Sequence, residues 1–210
     1  MTTEIFETLL KYYKKPQLEL HYNNAFELLI ATILAAQTRD ERVNKVTPII
    51  FKTFSEPQDF LTANAQNELE KIISSINFYR KKAVTIINTC KLLVEKYNGK
   101  VPEDVDELSS FPGIGRKTAA MVIANAYDIP AVFVDTHVLR TTQRIGLTMS
   151  DKPEVVETEL KKPFPEKYWK DLCLLLMMHG KAICHAKNPT CNECPVNKWC
   201  NYFKETIQKE

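Results

Sequence analysis

Apolar positions recur with the period of an α-helix along most of the chain. In residues 83–94 the apolar side chains share one helical face: Ala83, Ile86, Ile87, Cys90, Leu93 and Val94. Gly99 follows this stretch and suits the end of a helix. The segment NNAFELLIATILAAQ is apolar on nearly all sides, which is typical of a helix inside a core. Asn24 is its expected N-cap.

Three further segments fit helices: QNELEKIISSI, KPEVVETELKK and PEKYWKDLCLLLMMHG, of which the last ends near Gly180. Pro48 interrupts the run DERVNKVTPIIFKTF, and we expect it to bend or break a helix there. The chain contains no alternating pattern long enough for a β-strand, no internal repeat and no low-complexity linker. The pattern therefore predicts an all-α fold.

Composition and charge change this picture little. The chain has 210 residues, enough for one domain or two small ones, and a net charge of +2, too small to indicate a nucleic-acid partner by itself. Residues 80–100 are locally basic, which fits a solvated helix face or a nucleic-acid-binding patch equally well. The start, MTTEIFET, lacks a signal-peptide pattern, and the run LLIATILAA is about half the length of a membrane span. We expect a cytoplasmic protein with no membrane partner.

The segment ELSSFPGIGRK predicts a helix, a tight turn and a second helix. Pro112 fixes φ, while Gly113 and Gly115 allow positive φ or the close approach of another backbone. Ile114, between the two glycines, is expected to pack back between the helices. A plain helical hairpin would explain this turn as well as a binding motif does.

Two cations stand where the second helix begins. Arg116 and Lys117 would meet the positive end of the helix dipole, which costs a few tenths of a kcal/mol each unless an anion compensates. Bare glycine N–H groups at the same helix end would allow a phosphate to come close. This charge pattern favours an anion-binding role for the turn.

Four cysteines lie within seventeen residues near the end of the chain. Cys184, Cys191, Cys194 and Cys200 form the pattern C-x6-C-x2-C-x5-C, whereas the other two cysteines of the chain lie inside apolar helical patterns. Disulfides are not expected in an intracellular protein, so the four cysteines suggest one metal centre. Their spacing is compatible with either zinc or a [4Fe–4S] cluster.

These motifs together resemble the endonuclease III branch of the helix-hairpin-helix DNA glycosylases. FPGIGRKTA resembles the family's hairpin, VFVDTHVLR resembles its VDTH segment, and the cysteine pattern resembles its [4Fe–4S] motif. The resemblance implies two helical lobes with DNA bound between them. Residues 22–131 would form a six-helix barrel with the hairpin at about 104–126. Residues 1–21 and 132–210 would form a terminal-segment domain with the cluster at 184–200.

The resemblance also implies catalytic roles. Lys117 matches the lysine that forms a Schiff base with the sugar, and Asp135 matches the catalytic carboxylate. From the local sequence alone, Lys117 would be a surface lysine and Asp135 a helix N-cap. Because a nearby carboxylate raises a lysine pKa, we expect Asp135 to accept a proton or stabilise positive charge on the sugar.

Further positions match DNA-contacting elements of the family. Gln37 would fill the space left by an extruded base, although it could simply close an apolar helix. Phe78 would act as a wedge, although here it follows Asn77 where the family often has glycine, and it could also be a core residue. The remaining expected DNA contacts are Gly113, Ile114, Gly115, Arg116, His137 and Lys187.

The implied function is base excision repair. The chain would remove oxidised pyrimidines from double-stranded DNA and cleave the abasic strand by β-elimination, as a monomer, associated with the nucleoid if bacterial. The alternatives are a monofunctional thymine or adenine mismatch glycosylase and a non-enzymatic DNA-binding protein. Thr32 occupies the position of the adenine enzymes' catalytic glutamate, and Lys117 argues against all three alternatives.

Overall fold

The computed structural model of the chain describes residues 2–207. Met1 and residues 208–210, which the predicted terminal domain includes, lie outside this range. The described residues contain no β-strand, which confirms the all-α prediction. Their ten α-helices are α1 (Thr2–Tyr13), α2 (Ala25–Ala35), α3 (Asp40–Thr53), α4 (Ala65–Ile72), α5 (Tyr79–Tyr97), α6 (Val105–Ser109), α7 (Arg116–Ala126), α8 (Thr136–Ile145), α9 (Pro153–Lys161) and α10 (Trp169–Ala182). None of them is long and apolar enough to cross a bilayer.

The helices fall into two compact units. One unit is Leu18–Ile129 and contains α2 to α7. The other consists of Met1–Gln17 and Pro130–Glu210 and contains α1 and α8 to α10. The sequence prediction placed the corresponding boundaries at residues 22 and 131.

Helix α2 supplies the centre of the first unit's core. Leu28, Leu29, Ile30 and Leu34 have no exposed surface, as the apolar pattern predicts. The Asn24 side chain accepts a hydrogen bond from the Glu27 backbone N–H at 2.9 Å, which confirms the expected N-cap. Burial of each large apolar side chain contributes about 1.5–3 kcal/mol, so packing outweighs the weak helix propensity of the β-branched residues.

Pro48 does not break α3, so that part of the prediction is wrong. The helix continues through it from Asp40 to Thr53. A proline inside a helix costs about 3 kcal/mol, because it removes one backbone hydrogen bond and crowds the preceding turn. Val43 and Ile50 of the same helix are fully buried, and this packing holds the helix together across the proline.

Helix α5 presents the predicted apolar face to the same core. Ala83, Ile86, Cys90 and Leu93 are fully buried. The helix ends at Asn98, which has a left-handed backbone (φ 52°). The predicted apolar face of α5 therefore packs against the core from Ala83 to Leu93.

In the second unit, α8 and α10 pack closely. A Cβ atom added at Gly180 of α10 would lie 2.8 Å from the Cβ atom of His137 in α8, so this position accepts only glycine without movement of a helix. Leu172, Leu175 and Leu176 of α10 are fully buried. This contact fixes α8, which begins directly after Asp135.

Candidate functional site

Helices α6 and α7 and the turn between them form the predicted hairpin. Gly113 has φ 87°, and a Cβ atom there would lie 2.8 Å from the Thr85 Cγ2 atom. Ile114 is 4% exposed and belongs to the core, as predicted from its position between two glycines. Gly115 is the N-cap of α7, and no atom lies within 4 Å of a Cβ atom added there. Because glycine has no side chain to accept from them, the first N–H groups of α7 receive no cap from this residue.

The two cations at the start of α7 differ in their surroundings. Arg116 forms an ion pair with Asp106 of α6, so the protein itself supplies one compensating anion. Lys117 is exposed in the first turn of α7. Because Asp106 already balances part of the charge, the cations alone give weaker support for a bound phosphate than the sequence suggested.

Asp135 caps α8, as its local sequence predicts. Its Oδ1 atom accepts hydrogen bonds from the backbone N–H groups of His137 at 2.8 Å and Val138 at 2.7 Å. The other carboxylate oxygen, Oδ2, has no hydrogen-bond donor among residues 2–207. One oxygen is therefore structural, and the second is free to act on another group.

His137 is held by a neighbouring arginine of the same helix. The Nδ1 atom of His137 lies 3.1 Å from the Arg140 Nη2 atom. Arg140 also donates hydrogen bonds to the carbonyl oxygens of Gly180 at 2.8 Å and Cys184 at 2.9 Å. Arg140, which the sequence reasoning missed, thus ties the start of α8 to the end of α10 and to the first cysteine of the tail.

Gln37 and Phe78 are both exposed and both have a left-handed backbone. Gln37 follows α2 with φ 55°, and Phe78 precedes α5 with φ 58° and 64% exposure. The alternative in which Phe78 belongs to the core is therefore wrong. Lys82 belongs to the basic segment 80–100, for which the sequence left a solvated helix face and a nucleic-acid-binding patch open, and it is buried at 7% exposure.

The four tail cysteines surround one cavity. Cys184, Cys191, Cys194 and Cys200 all line it, and none forms a disulfide. Within residues 2–207 no three His, Cys, Asp or Glu side chains are grouped so that they could hold a single metal ion. Four cysteine side chains that line one cavity are nevertheless candidate ligands of a single metal centre.

Polar residues around this cavity face the cysteine sulfurs. Arg144 donates a hydrogen bond to the His185 carbonyl oxygen at 2.6 Å, and its Nη1 atom lies 3.6 Å from the Cys184 Sγ atom. The Nε2 atom of His179 lies 3.4 Å from Cys194 Sγ, and its Nδ1 atom lies 2.9 Å from the Tyr13 hydroxyl.

His179 is a neutral ring between two polar groups. Burial lowers the pKa of His179 to about 4, so the ring is neutral at pH 7 and carries a single N–H. Burial also raises the pKa of the Tyr13 hydroxyl, which stays protonated. The two ring nitrogens of His179 thus link Tyr13 to the sulfur of Cys194.

The expected site residues divide between the two units. Gln37, Phe78, the hairpin and Lys117 belong to Leu18–Ile129, whereas Asp135, His137, Lys187 and the four cysteines belong to the other unit. Lys187 is exposed in the loop between the first two cysteines. The proximity of Lys117 and Asp135 stays a prediction.

Comparison with known proteins gives consistent matches over nearly the whole chain. Residues 30–166 match the family model described as HhH-GPD superfamily base excision DNA repair protein. Endonuclease III of Synechocystis sp. is 42% identical over 199 residues, which cover 94% of this chain and 90% of that protein.

Two solved structures are also similar, each 39% identical to this chain. A non-covalent endonuclease III–DNA complex has a TM-score of 0.93 and covers 99% of this chain and 97% of its own. A trapped endonuclease III–DNA covalent intermediate has a TM-score of 0.91 and covers 97% of each chain. The resemblance predicted from the motifs is thereby confirmed, and the chain belongs to the endonuclease III family of the HhH-GPD superfamily.

Proposed function

We propose that this protein is a bifunctional DNA glycosylase that removes oxidised pyrimidines and then cleaves the abasic strand through a Schiff base on Lys117. The observation that carries the proposal is the position of Lys117, an exposed side chain in the first turn of α7, two residues after the N-cap Gly115. The covalent endonuclease III–DNA intermediate, 39% identical to this chain, supports a covalent step.

The proposed reaction can be written with the Lys117 amine, the DNA and water as its reactants. The damaged base is first extruded, since its glycosidic bond is not accessible within a stacked duplex. The neutral Lys117 amine attacks the sugar C1′ atom, and the base leaves with the electron pair of the glycosidic bond and takes up a proton. Ring opening gives an iminium ion, loss of a C2′ proton expels the 3′ phosphate, and water then hydrolyses the iminium and frees the amine.

Asp135 supplies the negative charge in this scheme. Its Oδ1 atom is committed to the N–H groups of α8, which leaves Oδ2 to accept a proton or stabilise positive charge on the sugar. The two hydrogen bonds also fix the orientation of the carboxylate, so little reorganisation is required during the reaction.

We further infer that the four tail cysteines hold a [4Fe–4S] cluster. The proposal is supported by four cysteine side chains that line one cavity and by the match of their C-x6-C-x2-C-x5-C spacing to the family's cluster motif. Burial raises the pKa of the Cys194 thiol to about 11, so metal binding must displace its proton. When bound, the cluster would cross-link residues 184–200, and the His179 ring, whose Nε2 atom lies 3.4 Å from Cys194 Sγ, would orient that ligand.

Borohydride trapping tests the proposal. An oligonucleotide duplex with one thymine glycol should become covalently attached to the wild-type protein, because borohydride reduces the iminium to a stable amine. Lys117→Ala should abolish the adduct, whereas Lys96→Ala, which removes an exposed lysine from the last turn of α5, should retain it.

The alternative functions give different products in the same experiment. Base release without strand scission or an adduct would indicate a monofunctional glycosylase. Binding to the duplex with neither product would indicate a non-enzymatic DNA-binding protein. A wild-type adduct that persists in Lys117→Ala would place the nucleophile elsewhere.

A further inference from the structure

Lys82 is a buried cation whose three donors are all used. Its Nζ atom donates to the carbonyl oxygens of Leu34 at 2.8 Å and Ala36 at 2.6 Å, and to the Thr38 hydroxyl at 3.1 Å. Among residues 2–207 no carboxylate forms an ion pair with it. Burial lowers its pKa to about 8, which leaves most of it protonated at pH 7. An ammonium in this environment depends on these three acceptors.

The acceptors lie where α2 ends. The last carbonyl groups of a helix lack intrahelical partners and carry the negative end of its dipole. Many helices satisfy these groups with a glycine in the left-handed conformation. Here Ala36 follows α2 with φ −55°, and Lys82 of α5 supplies the donors from a different helix. Lys82 is therefore a tertiary C-cap for α2.

A second contact, from the turn that precedes α5, holds the residue between Ala36 and Thr38. The Asn77 Nδ2 atom donates to the Gln37 carbonyl oxygen at 2.6 Å. Gln37 thus lies between Ala36 and Thr38, both bound by Lys82, and is itself bound by Asn77. Phe78 follows Asn77 directly and begins the turn into α5. Gln37 and Phe78, whose side chains are exposed, lie in two turns that the Asn77–Gln37 hydrogen bond joins directly. Lys82 of α5 adds three hydrogen bonds to the end of α2 and the residues that follow it.

Both turns carry backbone strain that these contacts offset. Gln37 and Phe78 have φ values of 55° and 58°, a region that costs a residue other than glycine about 1–2 kcal/mol. Such conformations persist where surrounding contacts fix them, and they often mark functional positions. The hydrogen bonds of Lys82 and Asn77 fix the Gln37 turn from one side and define its position relative to Phe78.

We propose that Lys82 and Asn77 are positioning residues that hold the Gln37 turn against the Phe78 turn, so that both side chains enter the duplex together when a damaged base is extruded. This inference rests on the proposed function. We call the two residues and their four hydrogen bonds the Lys82–Asn77 clamp. Its effect should be confined to substrates that require extrusion from a duplex.

The test compares two substrates in each variant: base release from a duplex with one thymine glycol, and borohydride trapping on a single-stranded abasic oligonucleotide. Lys82→Met keeps a long apolar side chain and removes the three donors. We expect it to lower the duplex rate roughly tenfold or more relative to the single-strand rate, since hydrogen bonds from a charged group are among the strongest. Lys52→Met removes a charge from an exposed position in the last turn of α3, outside the basic segment 80–100, and should leave this ratio unchanged.

Asn77→Ala provides a second variant at an exposed position, where loss of folding is not expected. It should lower the same ratio by a smaller factor. If the clamp acts through Gln37, the loss in Lys82→Met and the loss in Gln37→Ala should not add in the double mutant.

The outcomes separate this inference from the proposed function. Equal losses on both substrates, or additive losses with Gln37→Ala, would show that Lys82 serves only the general fold and would overturn the clamp. Failure of the wild-type protein to form an adduct on the single-stranded abasic substrate would instead refute the proposed lyase chemistry.

Discussion

Replacing Asp135 with asparagine separates the structural role of this residue from its chemical role. The Oδ1 atom of Asp135 accepts two backbone hydrogen bonds, at 2.8 and 2.7 Å. An asparagine keeps this oxygen, and asparagine and aspartate are about equally good N-caps. We therefore expect Asp135→Asn to change the free energy of unfolding by only a few tenths of a kcal/mol, whereas Asp135→Ala should cost about 0.5–2 kcal/mol.

The effect of Asp135→Asn on catalysis should be much larger. The substitution replaces the unoccupied oxygen with an uncharged NH2 group, so no carboxylate remains to accept a proton or stabilise positive charge. Loss of a positioned acid–base group typically costs 10²–10⁴-fold in rate. The assay is single-turnover base release from a thymine glycol duplex, with stability measured separately by urea unfolding.

Asp104→Asn is the matched control for this prediction. Asp104 caps α6 by accepting a hydrogen bond from the Glu107 backbone N–H at 2.8 Å, so the same change there alters a cap without altering the proposed chemistry. The reasoning is refuted if Asp135→Asn slows base release no more than Asp104→Asn does. It is also refuted if Asp135→Asn destabilises the protein as much as Asp135→Ala.

Four further predictions concern the hairpin and the tail. Gly113→Ala should lower the free energy of unfolding by about 1–2 kcal/mol, because φ is 87° and the new Cβ atom would meet Thr85. Gly115→Ala has open space and should leave urea unfolding nearly unchanged while weakening DNA binding; equal losses of stability would contradict this contrast. Metal analysis should find about four iron atoms per chain, lost in Cys194→Ser together with protease resistance of the tail; one zinc per chain would exclude the cluster. Lys187→Gln should reduce the slope of log affinity against log salt by about one if this exposed side chain contacts one phosphate. An unchanged slope would remove Lys187 from the interface.

Apolar spacing and capping residues in the sequence were sufficient to predict the helices whose apolar faces are regular. The cap at Asn24 and the buried face of α5 follow from spacing and residue type alone. The burial of Ile114 was also predictable, because a large apolar side chain in a tight turn is unfavourable in solvent and can pack between the two helices. The continuation of α3 through Pro48 was not predictable from the local sequence. The free-energy cost of the proline is offset by packing of α3, which only the tertiary structure reveals.

The partners of the charged residues could not be predicted from the sequence. Lys82 lies four positions before Ile86 and eleven before Leu93, on the same apolar face, so a signal for its burial was present. What the sequence did not contain was its acceptor: the carbonyl groups at the end of α2 are more than forty residues away. Arg116 similarly finds Asp106 only after the turn folds back. Local charge patterns predict that a cation needs partners, and tertiary structure decides which ones.

Residues with a left-handed backbone show how local sequence and tertiary contacts together determine the backbone conformation. Asn98, Asp128 and Asn188 have positive φ, and their short polar side chains tolerate this conformation with little help. Gln37 and Phe78 lack that advantage, yet they adopt the same conformation side by side, and Lys82 and Asn77 supply tertiary hydrogen bonds at this place. A glycine would relieve the strain at either position but would remove the side chain. Gln37 and Phe78 are strained residues that a glycine could replace at lower cost, and the buried Lys82 supports their turns. This combination is expected where the function requires the side chains themselves and not only the backbone turn.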